Sequence, residues 1–78
     1  MLRKRSVSLS GHATSVALEP EFWAVLDEIG AHVGLGHAGL MKRIDERRGR
    51  VPLASSCRLL ALAWAGGDRS FAEQDSSD

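Results

Sequence analysis

Apolar and polar residues alternate along the first eighteen positions, and the period then changes. Val7 and Leu9 alternate with Ser6, Ser8 and Ser10. After Gly11, Thr14, Val16 and Leu18 alternate with Ala13, Ser15 and Ala17. Period-two alternation with β-branched residues predicts extended chain over residues 5–18. Gly11 marks a bend or bulge between two short segments. From Glu19-Pro20-Glu21 onward Phe22, Leu26, Ile29 and Val33 recur at spacings of four, three and four, with Val25 widening the stripe. That is an amphipathic helix, with Asp27, Glu28 and His32 on its wetter side. Pro20 suits its first turn, and Gly34 suits the position just past its end.

A second helix is predicted over residues 37–48, with Leu40, Met41 and Ile44 as its apolar face and Gly36 at its N-cap. Gly39 inside it costs about 1 kcal/mol relative to alanine, which points to close packing there. A third helix is predicted over residues 53–64. Leu59, Leu60, Leu62, Ala63 and Trp64 make it apolar nearly all round, so it should be buried or shared with a partner. Arg58, its one charge, is expected to pair with Asp45 or Glu46. The chain thus divides into a basic arm over residues 1–5, a strand-and-helices domain over residues 6–65, and an acidic tail over residues 66–78 that reads as disordered.

A single extended unit followed by helices leaves backbone donors and acceptors without partners. The simplest remedy is the same strand from a second chain, paired antiparallel about a two-fold axis. The expectation from pattern alone is therefore a homodimer.

Composition changes this picture little. At 78 residues the chain is one small domain, for which self-association adds core. The single Cys57 excludes an intrachain disulfide and fits a reducing, cytoplasmic setting. No apolar run is long enough to span a membrane, and no signal-like segment follows the basic start. Charge changes it more. Ten basic and ten acidic side chains cancel, yet Arg3, Lys4 and Arg5 open the chain without an acid. Residues 42–50 hold five basic against two acidic side chains. Such patches suit phosphate contacts, and Arg3, Lys4 and Arg5 are the first candidates.

Other chemistry finds no support. The spacing of His12, His32 and His37 does not form a metal site, and Cys57 reads as core. No nucleophile elbow, phosphate loop or catalytic triad spacing occurs, so no enzyme, cofactor or metal is expected.

The run Thr14-Ser15-Val16-Ala17-Leu18-Glu19-Pro20-Glu21-Phe22-Trp23, followed by Leu26, Ile29, the Gly34-Leu35-Gly36 turn, Leu40, Met41 and Ile44, resembles the ribbon-helix-helix family. Lys4-Arg5-Ser6-Val7, Gly11-His12, Ile44-Asp45 and Ser55-Ser56-Cys57-Arg58-Leu59 are similar to a subfamily of short bacterial proteins with an added third helix. The resemblance implies a mainly α fold with one short β-strand, of the Arc and methionine-repressor type, dimeric, with a third C-terminal helix. It implies a regulator of transcription that lays an antiparallel ribbon in the DNA major groove. By position, Thr14, Val16 and Leu18 would face the core, and Ala13, Ser15 and Ala17 the bases. Gly36 and His37, at the start of the second helix, would offer backbone N–H groups to a phosphate. Val16, Leu18, Phe22, Trp23, Leu26, Ile29, Leu40 and Ile44 would form the dimer core. Ala13 and Ala17 offer bases only apolar contact, and the net charge is zero. An alternative is therefore a dimeric interaction module that binds a protein partner or small ligand instead of DNA.

Overall fold

In the computed structural model of the protein, which describes residues 1–76, the N-terminal segment does not run through as one strand. It forms β1 (Arg3–Leu9) and β2 (His12–Leu18), followed by α1 (Pro20–Val33), α2 (His37–Arg47), α3 (Leu53–Ala65) and α4 (Ser70–Ser76). The chain folds back at Ser10-Gly11, and the two strands pair antiparallel from Leu9↔His12 to Arg3↔Leu18. Both turn residues have positive φ, 50° and 81°. That is the requirement of a type I′ hairpin turn, whose twist matches that of the strands. The ribbon is thus closed within one chain. The expected single strand is corrected to two, and an unpaired strand no longer requires a second copy.

Register sorts the side chains. Residues opposite each other in an antiparallel pair share a face. Arg5, Val7, Val16 and Leu18 therefore lie on the inner face, and Val7, Val16 and Leu18 are buried there against the helices. Thr14, expected to join them, is opposite Val7 near the turn and is exposed.

The helices follow from the pattern described above. Pro20 opens α1, and Gly34, with φ 77°, closes it by donating its N–H to the Gly30 carbonyl. Trp23, Leu26 and Ile29 of α1 meet Leu40, Met41 and Ile44 of α2 and Cys57, Ala61 and Trp64 of α3 in one core. Each fully buried large aliphatic side chain contributes about 1.5–3 kcal/mol by leaving water. Seven of the eight residues expected at a dimer core are buried within the single chain; Phe22 is only half-buried. Both tryptophans satisfy their ring N–H, Trp23 on the Arg3 carbonyl at 2.7 Å and Trp64 on Glu28 Oε2 at 3.0 Å.

In the C-terminal part α3 is one-sided, and two expectations, a disordered tail and the partner of Arg58, are corrected. The face of α3 that is buried carries the small Cys57 and Ala61 together with Trp64, while Leu59 and Leu62 are 59% and 67% exposed. With Trp64 filling the core at one end of this face and Cys57 and Ala61 completing it, the leucines of α3 need not all point inward. The tail, expected to be disordered, forms α4 as far as Ser76, and residues 77–78 lie outside the described residues. Asp68 starts α4 by accepting the Ser70 N–H at 2.8 Å, and this bonding holds its carboxyl below the usual range. Phe71 then packs under Arg47, whose guanidinium carbon lies 4.7 Å from the ring centroid. Arg58 pairs with Glu19, at 2.8 Å, and not with Asp45 or Glu46. It binds the start of α1 to α3, and Asp45 is taken instead by Arg48.

Candidate nucleic-acid interface

The register that buries Val7, Val16 and Leu18 turns the pairs Ser8/Ala13, Ser6/Ser15 and Lys4/Ala17 to the opposite face of the ribbon. This outer face is solvent-facing throughout, with only Ala17 partly covered. It joins Ala13, Ser15 and Ala17, the residues expected to meet bases, to three residues of β1. Lys4, Ser6 and Ser8 carried no expectation of base contact. Their parity relative to β2 depends on the two-residue turn, which period-two alternation alone does not specify. Five of the six side chains are alanine or serine, one is a cation, and none is an acid. Short side chains allow the ribbon backbone to approach a groove floor closely.

The basic arm divides between the two faces. Lys4 is outward, whereas Arg3 and Arg5 belong to the inner side. Arg5 donates two hydrogen bonds to Asp27, at 2.8 and 3.0 Å, and its guanidinium carbon lies 4.5 Å from the Trp23 ring centroid. The bonding to Asp27 raises the Arg5 pKa and holds the Asp27 carboxyl below its ordinary value. Arg3, Lys4, Arg5, Trp23 and Asp27 border a hollow of about 420 Å³ between β1 and α1.

The start of α2 lies along the free edge of β1. His37 brings its Nε2 to 3.3 Å from the Ser6 carbonyl and meets Trp23 edge-on, with ring centroids 5.7 Å apart. No side chain caps this helix, which begins after Gly36. Its first backbone N–H groups have no intrahelical partner, and such groups attract anions. Gly36 and His37 therefore sit beside the ribbon, on the flank where a groove-bound ribbon would meet a phosphate wall.

The other edge, that of β2, has no neighbouring strand among the described residues. A two-residue turn is flanked by a pair that exchanges both backbone bonds, here Leu9 and His12. Alternation then turns the N–H and C=O groups of Ala13, Ser15 and Ala17 toward this open edge. The outward Ser6 carbonyl, which meets His37 on the opposite edge, has the matching parity.

Among the described residues no three of His, Cys, Asp and Glu converge as a metal site, and no helix is long and apolar enough to cross a membrane. A family model described as Ribbon-helix-helix domain matches residues 2–65. No curated protein and no solved structure matches the chain.

Proposed function

The chain belongs to the ribbon-helix-helix domain family, and on that premise we propose that it binds duplex DNA through the outer face of its ribbon, as a transcription regulator. The family is generally one of DNA-binding regulators. The single observation that carries the reading is the outer face itself, with Lys4, Ser6, Ser8, Ala13, Ser15 and Ala17 arranged as three cross-strand pairs and no acid among them. A two-stranded ribbon is narrow enough for the major groove, which is about 12 Å wide. Arg3 and the first amides of α2, at Gly36 and His37, supply phosphate contacts that position the ribbon without reading sequence. Arg5, bound to Asp27, orients β1 on α1.

The same reading makes the working species a homodimer. The open β2 edge supports it, because antiparallel pairing of two copies about Ser15 would satisfy the outward groups of Ala13, Ser15 and Ala17. The two β2 strands, one from each copy, would then form the central two-stranded ribbon that the groove admits, with each β1 at an outer edge of the sheet. Sedimentation equilibrium should return twice the chain mass of 8.4 kDa, and a stable single-chain mass would remove the dimer.

Leu59 and Leu62, exposed side by side on α3, favour a second reading in which this helix docks a protein partner. Titrating duplex DNA into isotope-labelled protein separates the two. The first reading shifts the amide resonances of Ser6, Ser15 and Ala17. Absence of any shift on the ribbon would overturn it in favour of the second.

A further inference from the structure

We infer that the groove between the end of α2, α3 and α4 docks an acidic amphipathic helix of a partner protein. This rests on the reading in which α3 docks a partner and gives that partner its chemistry; it holds whether or not the ribbon binds DNA. Ile44, Val51, Leu59, Leu60 and Phe71 line a hollow of about 230 Å³ there. Apart from the first two residues, the large apolar side chains left exposed among the described residues are all on this side. Val51 and Leu59 line the groove, and Leu62 stands one turn beyond Leu59 on α3. Clustered exposure marks an interaction surface, whereas scattered leucines would not.

Size and shape select the kind of occupant. Small-molecule sites usually hold about 300–1,000 Å³ and enclose most of the ligand. This hollow is smaller, and Leu59 beside it is 59% exposed. It suits one or two large side chains of a partner, which an amphipathic helix presents at positions i, i+3 or i+4, and i+7.

Charge selects the helix. Residues 42–50 hold five basic against two acidic side chains, and two of the basic ones, Arg47 and Arg48, line the groove. Local contacts hold both in place. The Arg47 guanidinium lies over the Phe71 ring, and Arg48 donates from Nε to Asp45 at 2.6 Å and from Nη1 to the Val51 carbonyl at 2.9 Å. The Nη2 group of Arg48 and the side chain of Arg50, next to Val51, have no hydrogen-bond partner among the described residues. Such N–H donors suit a carboxylate. A helix with apolar anchors flanked by aspartate or glutamate meets both features, and a basic helix meets only one.

The groove is also apart from the ribbon. No residue of β1 or β2 lines it, and the 11 residues of α2, about 16 Å of helix, separate it from His37. A partner can therefore dock while the ribbon lies on DNA.

The test is selection from a display library of random 18-residue peptides on the wild-type protein, followed by titration of the synthesised winners. The variants Leu59→Ser and Arg50→Glu, each checked for a wild-type urea midpoint, are titrated alongside. The wild type should enrich acidic peptides with large apolar residues at helical spacing. Leu59→Ser and Arg50→Glu should each weaken them about tenfold, and added salt should weaken them further. If the winners depend on Leu59 but are neutral or basic, α3 docks a partner and the acidic chemistry is overturned. If they bind Leu59→Ser as tightly as the wild type, or if nothing is enriched, the docking reading falls with it. If nothing is enriched and Leu59→Ser lowers the sedimenting mass to that of one chain, the groove is covered by a second copy instead.

Discussion

Arg5 and Asp27, twenty-two residues apart, meet in a two-pronged ion pair with contacts of 2.8 and 3.0 Å. The pair fastens β1 to α1 and removes the last charge of the basic arm from the ribbon's outer face. Its side chains are 34% and 56% exposed, so water screens much of the attraction. Asp27→Asn should cost about 0.5 kcal/mol at pH 7, measured by urea unfolding. The sign with pH follows from the Asp27 pKa, which is lowered from 3.8 in the folded chain. The contribution is present above the unfolded value and is lost as pH falls through the lower folded value. The difference between wild type and Asp27→Asn should therefore shrink as pH falls below 3.8. A constant difference across that range would contradict the pairing.

Gly30 and Gly39 should respond oppositely to alanine. A methyl group at Gly30 would lie 2.8 Å from the Leu35 carbonyl oxygen, part of the backbone turn that ends α1. At Gly39 the nearest atom is Leu35 Cδ2, at 3.3 Å, the end of a side chain that can turn aside. Alanine ordinarily gains about 1 kcal/mol over glycine inside a helix. Gly39→Ala should keep part of that gain. Gly30→Ala should be destabilising by roughly 1–2 kcal/mol, as overpacking is in other cores. Denaturant midpoints for the two variants check the contrast.

The hairpin turn offers a test in which no side-chain contact changes. Ser10 holds φ at 50°, a left-handed conformation that asparagine tolerates better than serine. Ser10→Asn creates the favoured Asn-Gly turn and should raise stability by about 0.5 kcal/mol. Gly11→Ala should lower it by about 1 kcal/mol, because an alanine Cβ is strained at φ 81°. Thermal unfolding that leaves both variants unchanged would argue against the intrachain hairpin.

Burial pushes the Cys57 thiol up to about 11. The thiolate is the reactive form, so Cys57 should react slowly with a disulfide reagent at pH 8 and at the rate of a free thiol in denaturant. Its raised pKa means that the neutral thiol's contribution to stability is full below the unfolded value and is lost as pH rises toward 11. Rapid labelling of native protein would place Cys57 outside the core.

Much of this fold is legible in the chain. The Phe22–Leu26–Ile29 spacing, Pro20 and Gly34 bound α1 to within a residue, and Leu40, Met41 and Ile44 orient α2. The hairpin is harder to read because Ser-Gly is a weaker left-handed pair than Asn-Gly, so Gly11 looks like a bend in one strand. Everything that depends on register follows from that turn, including the outward placement of Lys4, Ser6 and Ser8. The sidedness of α3 is hidden for another reason. Hydrophobicity favours burying Leu59 and Leu62, while the packed face holds Cys57, Ala61 and Trp64. Arg58 finding Glu19 across thirty-nine residues is a tertiary fact with no local trace. The tail misleads by composition, since its polar residues conceal Asp68 as a cap and Phe71 as an anchor.

The most direct test of the account is fluorescence anisotropy of duplex DNA with wild type, Ser6→Glu and Ser15→Glu across a salt series. Both substitutions place a carboxylate at the centre of the outer face, far from the core. The account predicts that the wild type binds duplex DNA with affinity that falls steeply with salt, and that either glutamate weakens binding at least tenfold while unfolding at the wild-type midpoint. Equal binding by all three proteins would contradict the assignment of the ribbon's outer face as the DNA-contacting surface.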